Sequence, residues 1–410
     1  MRVDPAATAS VAHLRTPETI RERAGAVLAH GLDSGLAHFA VDLSRLGTVA
    51  ELVAAITRER YPHLAVPLHS RWRQFSAGGT DRVAALMRGL GAVPVDEQAR
   101  VKIDLAVTSV LLDAGAGSEW RYLEAETGQV HRRSEGLAVA SFRLFTAGFF
   151  SSDPAVPWRA DAQGLLAVSE DRLGTALQVS ARNPLPGLAG RAALLRELGR
   201  ALAQRPEFFG TCPSRPGFLL DALRTRRGPG GIQAADVLDD VLVGLGPIWP
   251  GRLECAGVRL GDVWPHPAAG GSGPARGLVP FHKLSLWLTY SLVEPLSEAG
   301  LTVTGIERLT GLAEYRNGGL LLDTGVLVPR HEAVVHEAHR PGDEVVVEWR
   351  ALTVALLDRL VPLVRAQLGV AALSLASLLE GGTWVAGRRL ADARRGGAPP
   401  IAVVSDGTLM

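Results

Sequence analysis

Cysteine is nearly missing from this chain: Cys212 and Cys255 are the only two in 410 residues. Two thiols cannot build a disulfide framework, and they fit core positions in a reducing compartment. Lysine is as scarce. Of 43 basic Lys and Arg residues, only Lys102 and Lys283 are lysines. In a chain rich in Ala, Gly and Arg, a retained lysine is a candidate for a place that the planar, forked Arg cannot fill. Charge of either sign is not in excess, because the formal net charge is +1. That removes the electrostatic footprint expected of a nucleic-acid binder. Long hydrophobic runs are absent too. The nearest, residues 277–296, carries His282 and Lys283 and ends at Glu294-Pro295, so no membrane span is expected. No basic head followed by an apolar run opens the chain, and a cytoplasmic location without a signal peptide is expected. There is no GxGxxG before a helix, no Walker loop and no GxSxG elbow. Dinucleotide, nucleoside triphosphate and serine-esterase readings lose their usual support.

What is present is helical periodicity. Residues 1–16 suggest a loose lead-in. Thr16-Pro17-Glu18 then opens a helix, with Thr as N-cap, Pro at the first helical position and an acid in the first turn. Helical spacing predicts further helices over 36–58, 81–90, 98–114, 137–150, 162–179, 190–203, 216–223 and 233–243, with a loop at 224–231. A Gly/Pro/Ser-rich stretch, 265–276, is the clearest loop. It is expected to be flexible and to separate an N-terminal helical half from the half holding the motifs. Apolar helices follow over 279–296 and 344–368. Strand signals are confined to 323–328 and 401–404. The expectation is a mainly α protein, residues 1–410 as one globular domain with a few short strands.

The segment Leu309 to Val328 stands out. It sets Glu314 and Asp323 in an otherwise apolar stretch, around Tyr315-Arg316-Asn317-Gly318-Gly319. Carboxylates in apolar surroundings are what hydrolytic acid–base chemistry needs; they can also simply close a helix end. Asn317-Gly318-Gly319 is a tight-turn signal, which would place Glu314, Tyr315 and Arg316 at the end of the element entering the turn. A second group is Phe281-His282-Lys283 with Trp287. In a helix Lys283 and Trp287 share a face, and Lys283 is either a functional cation or a lysine snorkelling over a packed ring. A third is Glu348-Trp349-Arg350. In a helix, residues 348 and 350 point about 200° apart, so a salt-bridged helix is the plain alternative. His331, His336 and His339 invite a metal reading, but they lack HExxH spacing and sit in a polar stretch. Segments 68–75 and 117–122, the Asp406 tail and Lys102 are left without a role.

These residues carry a resemblance. Residues 279–288, 309–327 and 344–358, with Gly381-Gly382-Thr383-Trp384 and Ser405-Asp406-Gly407, resemble the uracil-catabolism family of fungi and bacteria, the fourth protein of that pathway, over nearly the whole chain. A more distant similarity is to queuosine-salvage N-glycosidases. Their Phe-Tyr-Lys, Ala-Asp-Tyr-Arg-Val-Pro-Gln and Glu-Val-Glu-Ile-Arg segments correspond in order to Phe281-His282-Lys283, Ala313-Glu314-Tyr315-Arg316 and Glu348-Trp349-Arg350. That family has a helical fold similar to helix-hairpin-helix DNA glycosylases. Here Glu replaces Asp, and Asn-Gly-Gly replaces Val-Pro-Gln. The extra methylene moves the carboxylate by roughly one carbon–carbon bond, more than about 1 Å.

The resemblance implies hydrolysis of the N-glycosidic bond of ribosylurea, or of its 5′-phosphate, with release of urea. Glu314 would be the catalytic carboxylate, and Lys283 the second catalytic residue. His282, Trp287, Tyr315, Arg316, Asp323, Glu348, Arg350 and Trp384 would bind substrate. Lys283, His282 or water would protonate the leaving nitrogen. The expected partner is a small ribosyl compound, with no cofactor, no metal, no nucleic acid and no membrane. The rivals are a metal-dependent hydrolase of a ring-opened pyrimidine, built on His331, His336 and His339, and a non-catalytic pathway partner.

Overall fold

A computed structural model describes residues 5–228, 231–250 and 252–408. It is mainly α, as expected, with short two-stranded pairings among the helices. No helix among the described residues is long and apolar enough to cross a membrane. The chain divides into two compact units, each assembled from separate stretches. The first takes Met1–His69, Gly251–Leu286 and Gly305–Val404; the second takes Ser70–Pro250, Trp287–Thr304 and Ser405–Met410.

The first unit is organised on the helix Glu344–Leu368, about 37 Å long at 1.5 Å per residue. Every residue from Val345 to Leu357 is buried, so this end is enclosed on all sides. The helices Pro17–Leu32 and Leu46–Arg60 pack along it. Thr16 caps the former as expected, accepting the Thr19 N–H at 3.2 Å. Arg21 fastens that helix to the long one by donating Nε to Asp358 at 2.9 Å. The helix expected over 36–58 is broken near its start. Phe39–Val41 pairs as an antiparallel strand with Leu327–Pro329, and Asp42 accepts the Ser44 N–H at 3.0 Å, ending the strand in a turn.

The lead-in is not loose where it is described. Pro5–Leu14 is a helix, and its Val11 and Leu14 join a core cluster with Leu260, Val263 and Ala275; residues 1–4 lie outside the described residues. The stretch 265–276 connects two antiparallel strands, Val263–Pro265 and Leu278–Pro280. Both sides of this hairpin belong to the first unit. The hairpin delivers the chain into the helix Lys283–Glu298 through His282, at φ 46°.

The largest local departure from expectation is at Asn317-Gly318-Gly319. These residues are not a turn but the interior of the helix Tyr315–Asp323. Their glycines serve close packing instead of positive φ. A Cβ on Gly318 would stand 2.7 Å from Trp349, and one on Gly387 would stand 2.0 Å from the Arg316 carbonyl oxygen. The short helix therefore lies tight against Glu344–Leu368 on one side and Trp384–Arg395 on the other. Asp323 closes this helix, and the expected strand starts later, at Leu327.

The second unit contains the helices Val95–Leu111, Arg133–Thr146 and Leu188–Gln204. The helix expected over 162–179 is two, because Ser169 caps a new start by accepting the Arg172 N–H at 3.1 Å. Segments left without a role have structural ones here. Trp120 donates to the Leu177 carbonyl at 2.9 Å. Lys102 pairs with Glu298, and Asp406 accepts the Thr408 N–H at 2.9 Å in an Asx-type turn. The loop at 224–231 starts inside a helix that runs to Arg227, and residues 229–230 of it lie outside the described residues.

Two glycine substitutions should move stability in opposite directions. Gly25 lies in the helix Pro17–Leu32 with nothing within 4 Å of its Cβ position, so Gly25→Ala should stabilise by about 0.5–1 kcal/mol through helix propensity. Gly387→Ala gains the same propensity but meets a backbone oxygen, and should destabilise by about 1–3 kcal/mol. Urea unfolding midpoints of the two variants check both signs.

Candidate active site

The motif segments meet at one buried ion pair. Asp262, just before the strand Val263–Pro265, is 4% exposed. Arg350 forks onto it, Nη1 to Oδ1 at 2.8 Å and Nη2 to Oδ2 at 2.7 Å. Trp264 Nε1 donates to Oδ1 at 2.8 Å, and the Lys283 N–H to Oδ2 at 3.1 Å. Burial pushes the Asp262 carboxyl up, but Arg350 and these donors outweigh it and hold it well below the usual carboxylate range. The Arg350 guanidinium also lies 4.1 Å from the centre of the Phe281 ring, and its Nε donates to the Ala313 carbonyl at 3.4 Å. One charge pair thus touches Phe281, the backbone of Lys283, and the residue preceding Glu314.

Glu314 is the N-cap of the helix Tyr315–Asp323. Its Oε1 accepts the Asn317 N–H at 2.6 Å and its Oε2 the Arg316 N–H at 3.0 Å. A carboxylate here satisfies orphan donors and complements the helix dipole. The structural alternative considered for Glu314 is therefore real. It does not consume the group, because each carboxylate oxygen keeps further lone-pair capacity, and the residue is only partly buried. Next to it, Arg316 lies 3.8 Å over the Trp384 ring and donates Nε to the Tyr315 hydroxyl at 3.1 Å.

Trp384 follows a π-helical turn, Leu379–Thr383, which sequence reasoning missed. Such turns are rare and concentrate at functional sites. The turn holds Glu380, which accepts from His69 Nδ1 at 2.9 Å, Arg60 Nη2 at 3.0 Å and Tyr61 Oη at 3.1 Å. Burial raises the Glu380 carboxyl, and these partners bring it below its ordinary value. The His69 and Trp384 rings are 5.7 Å apart. Gly381-Gly382 was the available signal, since a Cβ at Gly382 would stand 2.7 Å from the Val53 carbonyl oxygen.

Other expected site residues are committed elsewhere. Asp323 forks onto Arg395 at 2.8 and 2.6 Å. Arg350 holds Asp262 with both terminal nitrogens. Glu348 faces away from Arg350, as helical spacing requires, and its Oε1 accepts the N–H groups of Phe39 at 2.8 Å and His38 at 3.2 Å. Trp287 belongs to the second unit, where Arg71 lies 5.3 Å over its ring. His282 Nε2 is 3.0 Å from the Leu14 carbonyl oxygen. Burial pushes its imidazole below the ordinary range, so the neutral ring donates to that carbonyl. Lys283 is buried at the first position of its helix.

The metal set His331, His336 and His339 is not assembled. His336 is exposed, and His339 Nε2 engages the Val334 carbonyl at 3.1 Å. Among the described residues, the group with ligand spacing is His38, Glu344 and Glu348, whose ligand atoms lie within 4.8 Å of one another.

Residues 13–410 match the model of a family described as a protein of unknown function, DUF1688. The chain belongs to that family. It is 38% identical over 413 residues to "Protein urg3" of Schizosaccharomyces pombe, covering 98% of this chain and 99% of that protein. It is also 38% identical over 405 residues to "Uracil catabolism protein 4" of Lachancea kluyveri, covering 91% and 92% of the two chains.

Arg350→Met would strand the buried Asp262 charge and should cost about 3–5 kcal/mol, read from urea unfolding; adding Asp262→Asn to it should recover part of that loss. His282 supplies a pH dependence. Its folded pKa lies below the ordinary 6.5, so as pH falls from 6.5 the unfolded chain binds a proton that the folded chain refuses, and stability is lost. His282→Asn tolerates positive φ, keeps a donor and does not titrate. Its unfolding midpoint should fall less than the wild type's between about pH 7.5 and 5.5.

Proposed function

We propose that this family member is a uracil-catabolism enzyme that hydrolyses the N-glycosidic bond of ribosylurea or its 5′-phosphate. The near-full-length similarity to a protein named for uracil catabolism supports the pathway. The observation that carries the chemistry is the convergence of the three glycosidase-like segments on the Asp262–Arg350 pair, with the Glu314 carboxylate fixed at the head of the adjoining helix.

In this reading the ribosyl ring develops positive charge as the bond from C1′ to the urea nitrogen lengthens. Glu314 stabilises that charge and takes a proton from the attacking water. The water oxygen bonds to C1′, the C1′–N bond breaks, and the nitrogen leaves as neutral urea after gaining a proton. A neutral His282 bonded to Leu14 suits this donor role poorly, which leaves Lys283 or a second water. Arg316, stacked on Trp384 beside Tyr315, offers a flat cationic and aromatic wall for the sugar or the planar urea.

The test is urea release from ribosylurea, free and 5′-phosphorylated, by purified protein. Wild type should release urea from one of the two. Glu314→Gln, which keeps one carbonyl acceptor for the helix cap, should lower kcat/KM by about 100-fold or more while its melting temperature shifts little. Equal activity in the variant would remove Glu314 from catalysis. No release from either compound would remove the glycosidase reading and favour a non-catalytic pathway partner.

A further inference from the structure

A second group of polar side chains lies on the same long helix as Arg350, about 200° around it. Glu348 is fully buried, and only its Oε1 is satisfied, by the backbone N–H groups of Phe39 and His38. Its Oε2 has no hydrogen-bond partner. A buried carboxylate oxygen left so is costly, because its lost hydration is not replaced. His266 is 2% exposed and has the same deficit: its Nε2 has no hydrogen-bond partner and stands 3.7 Å from Glu348 Oε2. The Ala268 N–H donates to His266 Nδ1 at 3.1 Å. The proton of the neutral ring is therefore on Nε2, aimed at Glu348 but too far away to bond.

Two more ligand-type groups close on this point. Glu344 is one helical turn before Glu348 and so shares its face. His38 stands opposite. The ligand atoms of His38, Glu344 and Glu348 lie within 4.8 Å of one another. An ion with bonds of about 2.1 Å holds two ligands up to about 4.2 Å apart, so the three groups have only to draw in slightly. His38 is already oriented, because its Nδ1 is 3.0 Å from His331 Nε2. If Nδ1–H is donated to His331, the other ring nitrogen keeps its lone pair for a metal, the arrangement typical of ligating histidines.

We propose that His38, Glu344 and Glu348 bind a divalent transition-metal ion of the zinc or manganese type. His266 is a positioning residue, whose Nε2–H orients Glu348 or an ion-bound water from the buried side. One imidazole and two carboxylates suit Zn²⁺, Mn²⁺, Fe²⁺ or Co²⁺ and offer nothing to a thiolate-seeking ion. Three protein ligands leave at least one coordination position open, and the exposed Glu344 puts it on the solvent side. An ion bound here would depart from the expectation of a metal-free protein. The site does not depend on the glycosidase reading, and shares no ligand with the Asp262–Arg350 pair.

The experiment is calorimetric titration of the full, chelator-stripped chain with Zn²⁺ and, separately, Mn²⁺. One ion per chain is expected for at least one of them, with a rise in melting temperature on loading. Glu344→Gln is a surface change that leaves the core intact; it and His38→Ala should each weaken binding about tenfold or more, and His266→Gln should weaken it less. His336→Ala, an exposed histidine outside the site, should bind as wild type does. Absence of stoichiometric binding of either ion would overturn the proposal. So would binding unchanged in both Glu344→Gln and His38→Ala, or binding lost in His336→Ala.

Discussion

The organisation of the first unit depends on the buried pair between Asp262 and Arg350. Removing two charges from water is expensive, and Coulomb attraction repays it only when every remaining donor and acceptor finds a partner. For Asp262 the requirement is met. Each Asp262 oxygen accepts two hydrogen bonds, from Arg350 with Trp264 and from Arg350 with Lys283. The arginine puts its flat face on Phe281 and its Nε–H on Ala313. Partners 88 residues apart in sequence are fixed to within hydrogen-bond tolerance. A hydrophobic pair of equal volume could pack there as well, but it would not specify which backbone groups arrive or in what register.

Close packing through glycine extends that order to the neighbouring helix. Tyr315–Asp323 approaches Trp349 through Gly318, and the helix Trp384–Arg395 approaches it through Gly387. Larger side chains at either place would push the helices apart, and with them Arg316 and Trp384, whose stacking distance is 3.8 Å. The cost of glycine inside a helix, about 1 kcal/mol each, is tolerated because the approach positions the guanidinium and the ring. Asp323, held by Arg395 and Arg394, locks the far end of the same helix onto the same neighbour.

Much of this was legible in the sequence, and the failures have physical causes. Long helices with clear caps, such as the one after Thr16 and the one over 344–368, follow from periodicity and end signals. The opposite facing of Glu348 and Arg350 follows from 100° per residue. Asn317-Gly318-Gly319 misled because turn chemistry and helix–helix approach both select glycine, and only the partner's position distinguishes them. Asp262 was missed because nothing local marks it. Its importance comes from a partner on a distant helix, and the same holds for His38, His266 and Glu380. The expected hydrogen-bonders Asp323 and Arg350 are polar and well spaced, but sequence does not show that a protein group has already occupied them.

Glu314 caps a helix and is also the carboxylate proposed to face the ribosyl ring. A helix-capping role is usually taken as an argument against catalysis, yet the two demands are compatible. A carboxylate meant to face developing positive charge should not reorganise when that charge appears, because reorganisation is what makes the same interaction weak in water. Two backbone N–H groups at 2.6 and 3.0 Å restrict the Glu314 side chain before any ligand arrives. The extra methylene relative to aspartate lets the side chain curl back onto its own helix start while each oxygen retains capacity for water. Mobility, not capping, would be the stronger objection to a catalytic carboxylate, and the cap removes it.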